Sequence, residues 1–248
     1  MEKAANKSIV YLIPSLLHEA AGNTIPFSIL EAVQQCEIFF VENERSARRY
    51  LKQLWKDMVI DDYTWVTMHK VEKQVKQQFK HAVEKGKIIG IISEAGCPGV
   101  ADPGQILIET AHQLGALVKP LVGPNAILLA LMASGLNGQQ FQFTGYLPID
   151  IPQRMKRIKA LEEESARKNC TQLFIETPYR NNRLLETILK TCQPDTLLSI
   201  ACSLTGPDEF IATRPIKNWK RDVPDLHKKP AIFSLLAVPA ASGARGSR

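Results

Sequence analysis

A long turn that directly follows an apolar strand constrains the fold of this chain more than any other feature. The run Ile88 to Ile92 predicts a short buried strand, and residues Ser93 to Gly104, which read SEAGCPGVADPG, follow it. Glycine tolerates positive φ and the close approach of another molecule, whereas proline fixes φ and removes a backbone donor. A turn with three glycines and two prolines is therefore typical of a rigid binding loop.

Two further turns of this kind lie beside predicted strands and helices. Residues 123–126 read GPNA and open a helix of small residues, while residues 143–148 read FTGYLP and end a short aromatic strand. The three turns together predict one composite cleft. The sequence has neither GxGxxG nor GxxxxGK[ST], which argues against a Rossmann dinucleotide site and a P-loop.

Strands and helices alternate through the first half of the chain, which predicts parallel βαβ units. The first helix is expected to begin near Thr24 with Pro26 in its first turn and to bury Phe27, Ile29, Leu30 and Val33. Strands are more frequent in the second half, which favours a mixed sheet. We therefore predict an α/β fold of two α/β domains, residues 8–121 with a mainly parallel sheet and residues 122–239 with a mixed sheet. The cofactor cleft is expected between them, and residues 240–248 are expected to form a disordered tail.

The predicted strands are 9–13, 38–41, 88–92, 117–121, 141–144, 172–175, 197–201, 209–212 and 231–238. The predicted helices that follow the first one are 44–55, 71–83, 105–114, 125–134, 153–168 and 181–191.

Composition limits the function classes. Of 248 residues, 45% are hydrophobic, and no apolar run is long enough for a membrane span, so we expect a cytoplasmic protein. Five cysteines without a CxxC pair and five histidines without HExxH spacing predict neither a disulfide framework nor a metal site. The net charge of +6 favours an anionic partner such as RNA. The basic clusters at 70–87, 154–168 and 217–229 equally fit solvated helix faces.

The motif order resembles that of the tetrapyrrole methylase superfamily, the class III S-adenosylmethionine (SAM) methyltransferases. The relevant stretches are SEAGCP followed by DPG, then GPNA, then GYLP, and the likeness extends from Val10 to about Ala237. Within the superfamily the chain is most similar to the ribosomal RNA small-subunit methyltransferase I branch. This resemblance implies the two-domain fold, SAM as cofactor and a homodimer, for which the small-residue helix Asn125 to Ser134 offers a surface.

The resemblance also implies which residues bind SAM. These residues are Pro14, Glu94, Ala95, Gly96, Cys97, Pro98, Asn125, Ala126, Phe174, Ile175, Glu176, Ala201, Leu204, Ala231 and Ile232. Glu94 and Cys97 stand where the relatives typically have Asp and Thr, and a thiol is a weaker hydrogen-bond donor than a hydroxyl.

Other departures from the family pattern concern the expected substrate side. After the first strand the chain has a longer, more apolar loop, residues 15–23, in which His18 and Glu19 form either a local acid/base pair or ordinary hydrogen-bonded side chains. The family's AEDTR becomes VENER, so that Glu42 and Arg45 remain and Asn43 replaces an aspartate. Residues 202–206 lack the arginine and glutamate of RELTK, and the usual KGE becomes KPA at 229–231.

The resemblance implies catalytic roles for Glu42 and Arg45 and phosphate contacts for Arg48 and Arg154. The alternative for Glu42 is an ion pair with Arg45 or Arg48 at a helix start. Three functions stay open: ribose 2′-O methylation of ribosomal RNA in the small subunit, methylation of a tetrapyrrole or another small molecule, and SAM binding by a paralogue without catalysis.

Overall fold

The computed structural model describes residues 7–68 and 73–237. The chain divides into two compact units, the first ending at Asn125 and the second beginning at Ala126. The predicted disordered tail, residues 240–248, lies outside the described residues, as do the start of the predicted helix 71–83 and the end of the predicted strand 231–238. Within the described ranges, no helix combines the length and apolar character that a membrane span requires.

The first unit contains a five-stranded sheet in which every neighbouring pair is parallel. Its strands are β1 (Ile9–Ile13), β2 (Ile38–Val41), β3 (Thr64–Thr67), β4 (Ile88–Ile92) and β5 (Leu117–Pro120). Their spatial order is β3-β2-β4-β1-β5. The predicted mainly parallel sheet is therefore confirmed.

Helices cover both faces of this sheet, so its central strands are buried on both sides and are continuously apolar. The helices are α1 (Ser28–Gln35), α2 (Glu44–Leu54), α3 (Lys73–Glu84) and α4 (Gly104–Gln113). Side chains of α1 and α2 pack with Phe39 on one face. Side chains of α3 and α4 pack with Phe40 on the other face.

This winding creates a switch point beside β4. The chain leaves β1 and β2 towards α1 and α2 on one face, whereas it leaves the intervening strand β4 towards α4 on the opposite face. Loops that diverge in this way open a crevice at the carboxyl ends of the strands, where ligands bind in open α/β sheets. The turn Ser93 to Gly104 begins at this point.

The second unit contains a mixed five-stranded sheet, as predicted. Its strands are β6 (Phe141–Tyr146), β7 (Thr171–Ile175), β8 (Leu197–Cys202), β9 (Phe210–Pro215) and β10 (Ala231–Leu236). Their order is β6-β7-β10-β8-β9, in which β6 and β7 are parallel and the other pairs are antiparallel.

The two faces of the second sheet are covered by different helices, namely α5 (Ala126–Ser134), α6 (Ile151–Lys168), α7 (Asn181–Thr191) and the short α8 (Ile216–Trp219). The core with Phe174 and Phe233 is completed by side chains of α6, α7 and α8. On the other face, α5 packs over β8, β9 and β10, and the Thr213 hydroxyl donates to the carbonyl of Ser134 at 2.7 Å.

The prediction for the first helix was wrong at its start. Gly22–Thr24 forms a separate 3-10 turn, and the Thr24 hydroxyl donates to the carbonyl of Ala21 instead of capping a helix. The α-helix begins only at Ser28. Phe27 therefore precedes the helix and is 77% exposed, whereas Ile29 and Val33 are buried as expected.

Sequence analysis did not predict the strand β3 or the helix α8. The strand β3 reads TWVT and lies at the sheet edge, and its residues are exposed or only half-buried. An edge strand of this kind lacks the apolar run that identified β1, β2 and β4. Most other boundaries differ from the predictions by one or two residues, and β9 continues to Pro215, three residues beyond its predicted end.

Candidate functional site

The carboxyl edge of the first sheet holds the turns predicted to bind the cofactor. Ser15, after β1, and Gly96, after β4, form an isolated antiparallel bridge with N···O distances of 2.8 and 3.3 Å. The Ser15 hydroxyl donates to the carbonyl of Ser93 at 2.6 Å. Gly96 has φ +74°, which favours glycine at this position. The two loops are therefore held against each other by backbone and hydroxyl hydrogen bonds.

Asp102 fixes the second half of the long turn. Its carboxylate accepts hydrogen bonds from the backbone N–H groups of Gly99 at 2.8 Å and Gly104 at 2.7 Å. Burial raises the pKa of Asp102, and these N–H donors oppose that rise because they stabilise the charged form. The prediction of a rigid loop thus has a physical basis in this clamp, which sequence analysis did not identify.

Cys97 links the turn to the segment that leads into α5. Its thiol donates weakly to the carbonyls of Gly123 at 3.7 Å and Pro124 at 3.4 Å, and the Asn125 side chain also hydrogen-bonds to the thiol. Burial raises the pKa of Cys97, so the thiol form and its donor are retained. The substitution of Thr by Cys in this family position leaves the link in place with a weaker donor.

Gly123 allows this segment to lie against Pro14. A Cβ atom at position 123 would lie 2.3 Å from the Cβ and Cγ atoms of Pro14, which is far inside van der Waals contact. Pro14 is itself held from the other side, because the buried Tyr50 hydroxyl donates to its carbonyl at 2.8 Å. Because Gly123 has no side chain, its segment can pack closely against Pro14, a predicted cofactor residue.

The structure brings Glu42 to the same turn. One carboxylate oxygen of Glu42, Oε2, accepts from the backbone N–H of Glu94 at 2.9 Å. Among the described residues Glu42 forms no ion pair with Arg45 or Arg48, so that alternative prediction was wrong; Arg48 pairs with Glu44 at 2.6 Å and stacks over the Trp65 ring. Glu42 bonds the turn because the carboxyl ends of the adjacent parallel strands β2 and β4 meet at one edge.

Asn43 has a structural role that accounts for its residue type. Its side chain caps α2 by accepting from the N–H of Ser46 at 3.2 Å. Either Asn or Asp can provide this cap. The loss of the family's aspartate charge at this position therefore leaves the helix start intact.

His18 and Glu19 do not pair with each other. Nδ1 of His18 accepts from the N–H of Ala20 at 3.1 Å, and Glu19 forms an exposed ion pair with Arg49 of α2. The hydrogen-bonded alternative of the sequence analysis is the one observed. The ion pair ties the long loop after β1 to α2.

Three predicted cofactor residues of the second unit lie side by side. Ile232 of β10 pairs with Ile175 of β7 on one side and with Ala201 of β8 on the other. Directly opposed residues project to the same face, which here is the face covered by α5 and not the face of the large core. Three residues separated by up to 57 positions in the sequence thus form one row.

Phe174 and Ala231 project to the opposite face. The Phe174 ring is fully buried and lies 5.9 Å from the ring of Phe233 in a near-parallel stack, and Ala231 belongs to the same core. Their side chains stabilise the core, so only their backbone atoms remain for the predicted cofactor contacts. Pro98 and Leu204 are also buried, whereas Ala126 is the half-buried first residue of α5.

Backbone strain and an unbonded carboxylate oxygen occur at this end of the second sheet. Ser203 and Thr205, on either side of Leu204, have φ angles of 50° and 67°, which are unfavourable for residues with side chains. The buried Glu176 carboxylate accepts through Oε1 from Thr177 N–H and Arg180, while its Oε2 has no hydrogen-bond partner among the described residues. Strained and unsatisfied groups of this kind are concentrated at functional sites.

Arg154 is buried, although sequence analysis assigned it to phosphate contacts. Its side chain is on the inward face of α6 with Ile158 and Leu161, and the residue is only 3% exposed. Its Nε has no hydrogen-bond partner among the residues described. A buried guanidinium without a carboxylate partner is costly, and an anionic ligand would offset that cost.

The remaining titratable groups do not form a metal centre in the described part of the chain, where no three His, Cys, Asp or Glu side chains cluster suitably. The residues that sequence analysis missed at the first sheet edge are Ser15, Tyr50, Ser93, Asp102 and Gly123. Ser93, Asp102 and Gly123 lie within turns that the sequence identified, and the DPG motif could have indicated the local Asp102 clamp. Ser15 and Tyr50 depend on contacts across the fold, which no local motif indicates.

Comparison of the sequence with those of known proteins finds relatives that share one name. No protein-family model matches the chain. A ribosomal RNA small subunit methyltransferase I from Halalkalibacterium halodurans is 31% identical over 186 residues, which are 74% of this chain and 60% of that protein. The chain thus spans less than two thirds of that relative's length. Other relatives of the same name are 25–36% identical.

Solved structures share the architecture at low sequence identity. The methyltransferase CobJ superposes with a TM-score of 0.61 and 17% identity, covering 93% of both chains. A uroporphyrin-III-C-methyltransferase from Thermus thermophilus superposes with a TM-score of 0.55 and 15% identity, covering 93% of this chain and 92% of that one. The chain therefore has the tetrapyrrole methylase fold, and its sequence is similar to those of the ribosomal RNA small subunit methyltransferase I proteins.

Proposed function

We propose that this protein is a SAM-dependent methyltransferase that acts on ribosomal RNA of the small subunit, at a ribose 2′-hydroxyl. The observation that carries the proposal is the interlocked group of turns at the carboxyl edge of the first sheet, in a chain whose curated relatives are named ribosomal RNA methyltransferases. The proposal for the acceptor is further supported by the net charge of +6.

The residues present suit a zwitterionic nucleoside cofactor. Glu94 and Ala95 are exposed at the tip of a turn whose base is fixed by Ser15 and Gly96, so the Glu94 carboxylate is available to a ligand. When bound, SAM would supply an electrophilic methyl group. We propose that residues of both units hold SAM. In the first unit these are Pro14, residues 94–98 and Asn125. In the second unit they are Ala126, Ile175, Glu176, Ala201, Leu204, Ile232 and the backbone of Phe174 and Ala231.

The protein's own contribution is to position groups and to accept a proton. Glu42 holds the turn through its Oε2 contact with Glu94 N–H. Its carboxylate is therefore fixed at the edge where we propose that the acceptor hydroxyl lies, and it would orient that hydroxyl and accept its proton. Arg45 is exposed at the start of α2 and would contact the RNA there.

Methyl transfer from tritiated SAM tests the proposal. Immature small ribosomal subunits should become labelled in their RNA, and tetrapyrrole precursors offered separately should not. Label in a tetrapyrrole would instead establish the small-molecule alternative. Binding of S-adenosylhomocysteine (SAH) without transfer to either acceptor would establish a paralogue without catalysis.

Arg45→Ala provides a matched comparison in the same assay. This exposed residue should contribute to acceptor binding and not to cofactor binding, so the variant should transfer methyl groups more slowly with unchanged SAH affinity. An unchanged rate would remove Arg45 from the site. Transfer by the wild type should also weaken steeply as salt increases, since RNA binding releases counterions.

We further propose a cytoplasmic homodimer that associates through α5. This helix is apolar along most of its length, and Met132 is 78% exposed. Leu128, one helical turn before it, is 48% exposed, and a contiguous exposed apolar patch of this kind is typical of an association surface. Light scattering should give the dimer mass for the wild type and the monomer mass for Met132→Lys, and a monomeric wild type would contradict this proposal.

A further inference from the structure

A cavity of about 430 Å³ opens in the first unit beside the turn after β4. Its walls are residues 15–19 of the long loop, residues 46–53 on one side of α2, and residues 93–95 of the turn. The volume lies within the usual range for small-molecule sites, near its lower end. The loop that forms one wall is one of the segments in which this chain departs from the pattern it resembles.

The floor of the cavity is rigid and uncharged. It is formed by the buried residues Ser15, Ala47, Tyr50 and Ser93. The Ser15 hydroxyl donates to the Ser93 carbonyl at 2.6 Å, and the Tyr50 hydroxyl donates to the carbonyl of Pro14 at 2.8 Å. Because these hydroxyl protons are already used within the protein, the floor suits a flat ring better than an ion.

The rim of the cavity carries more carboxylates than cations. Glu19 and Glu94 are exposed at the rim, and the single arginine there, Arg49, forms an ion pair with Glu19. These three side chains give the rim one net negative charge. A tetrapyrrole precursor carries several carboxylates and would be repelled, whereas an uncharged nucleobase would not be.

A basic stripe continues along α2 from the rim. Arg45, Arg48, Arg49 and Lys52 are spaced at i, i+3, i+4 and i+7, which places them on one side of the helix. Arg45 is exposed at the end nearer the turn. A polymer with an uncharged ring and an adjacent phosphate matches a cavity with an uncharged floor beside such a stripe, and RNA has this chemistry.

We propose that this cavity binds a nucleobase of the RNA acceptor while the basic stripe of α2 contacts the adjacent phosphates. The inference rests on the proposed function. It assigns to this cavity and its rim the selection of RNA over a tetrapyrrole that carries carboxylates. Gln53 is exposed on α2 and lines the opening of the cavity. Its Nε2 atom would lie 3.5 Å from a Cβ atom added at Gly22.

Saturation-transfer NMR with each of the four ribonucleosides tests cavity binding. The protein is first saturated with SAH, because Glu94 and Ala95 line the cavity and also belong to the proposed cofactor site. At least one nucleoside should receive saturation from the wild type. Gln53→Trp would place an indole across the opening and should weaken that binding at least about tenfold, which corresponds to about 1.4 kcal/mol. Gln113→Trp, an equal substitution at an exposed position of α4, should bind the nucleoside as the wild type does.

A charge reversal tests the rim independently of cavity filling. Glu19→Arg should gain binding of uroporphyrin, an octacarboxylate that the wild type should exclude. Glu109→Arg, with the same change of charge on the exposed face of α4, should not gain it. Both positions are exposed, so neither variant removes a core contact.

The proposal is overturned if no nucleoside binds the wild type, if Gln53→Trp binds it unchanged, or if the wild type binds uroporphyrin as tightly as Glu19→Arg. SAH titration and methyl transfer on the same preparations separate this failure from failure of the proposed function. A protein that binds SAH and methylates RNA, yet fails the cavity tests, disproves the cavity assignment alone. A protein that binds no SAH disproves the proposed function itself.

Discussion

Substitution of Gly123 by Ala probes the contact that fixes Pro14 at the proposed cofactor site. The added Cβ would lie 2.3 Å from two atoms of the Pro14 ring, and ordinary contact begins at 3.4 Å, so the two segments must separate by about 1 Å. A proline ring cannot rotate away as a flexible side chain would. Overpacking of this kind costs about 1–3 kcal/mol in the free energy of unfolding.

The displacement should also reach the turn after β4. Pro14 precedes Ser15, which bonds to Gly96, and the carbonyl of Gly123 accepts from the Cys97 thiol. If the displacement weakens the free energy of SAH binding by about 1.4 kcal/mol, the SAH affinity should fall roughly tenfold. Urea unfolding would measure the stability of the variant, and isothermal titration with SAH would measure its affinity.

Gly138→Ala is the matched control, because a Cβ atom at Gly138 meets nothing within 4 Å and its φ is not positive. This variant should be unchanged or about 0.4–1 kcal/mol more stable, since alanine restricts the unfolded chain. Equal stability and equal SAH affinity of the two alanine variants would refute the claim that Gly123 positions Pro14.

Three further predictions concern named hydrogen bonds. Burial raises the pKa of Glu176, but donors led by Arg180 outweigh burial and hold this pKa below the usual 4.5. The carboxylate therefore stabilises the folded state fully above pH 4.5, and this stabilisation is lost as the pH falls below the lowered pKa. Glu176→Gln should flatten the fall of Tm at acid pH, and an unchanged fall would contradict this. The free energy of unfolding, measured in urea, should be about 0.5–1.5 kcal/mol larger for Cys97→Thr than for Cys97→Val. Thr and Val have the same shape, but only Thr can donate a hydrogen bond to the nearby carbonyls. Ser234→Ala should raise Tm, because it removes a buried hydroxyl that has no hydrogen-bond partner within residues 7–68 and 73–237, whereas Thr213→Val should lower Tm by breaking the bond to α5; the reverse order would refute the assignment.

Apolar runs made the central strands predictable. The strands β1, β2 and β4 begin and end at the predicted residues because burial on both faces requires a continuous run. The edge strand β3 has no such requirement, and its sequence TWVT gave no signal. Thr24 and Pro26 satisfied the rules for a helix start, but Thr24 instead closes a 3-10 turn, and local sequence does not distinguish these outcomes.

The candidate site was predictable where it depends on one segment and not where it depends on several. The motif SEAGCP located the turn, and the positive φ of Gly96 agrees with the reason given for its glycines. The partners of that turn, Ser15, Glu42 and Gly123, are 26 to 78 positions away in the sequence from the residues they contact through side-chain hydrogen bonds. Only the strand order places them together, and the ion pair between Glu19 and Arg49 depends on the same packing.

A crystal structure of the protein soaked with SAH tests the central claim most directly. We expect the nucleoside of SAH to lie against residues 94–97 and the sulfur of SAH to face the edge where Glu42 accepts from Glu94 N–H. SAH bound elsewhere, with this turn free of ligand, would contradict the assignment of the carboxyl edge of the first sheet as the methyl-donor site.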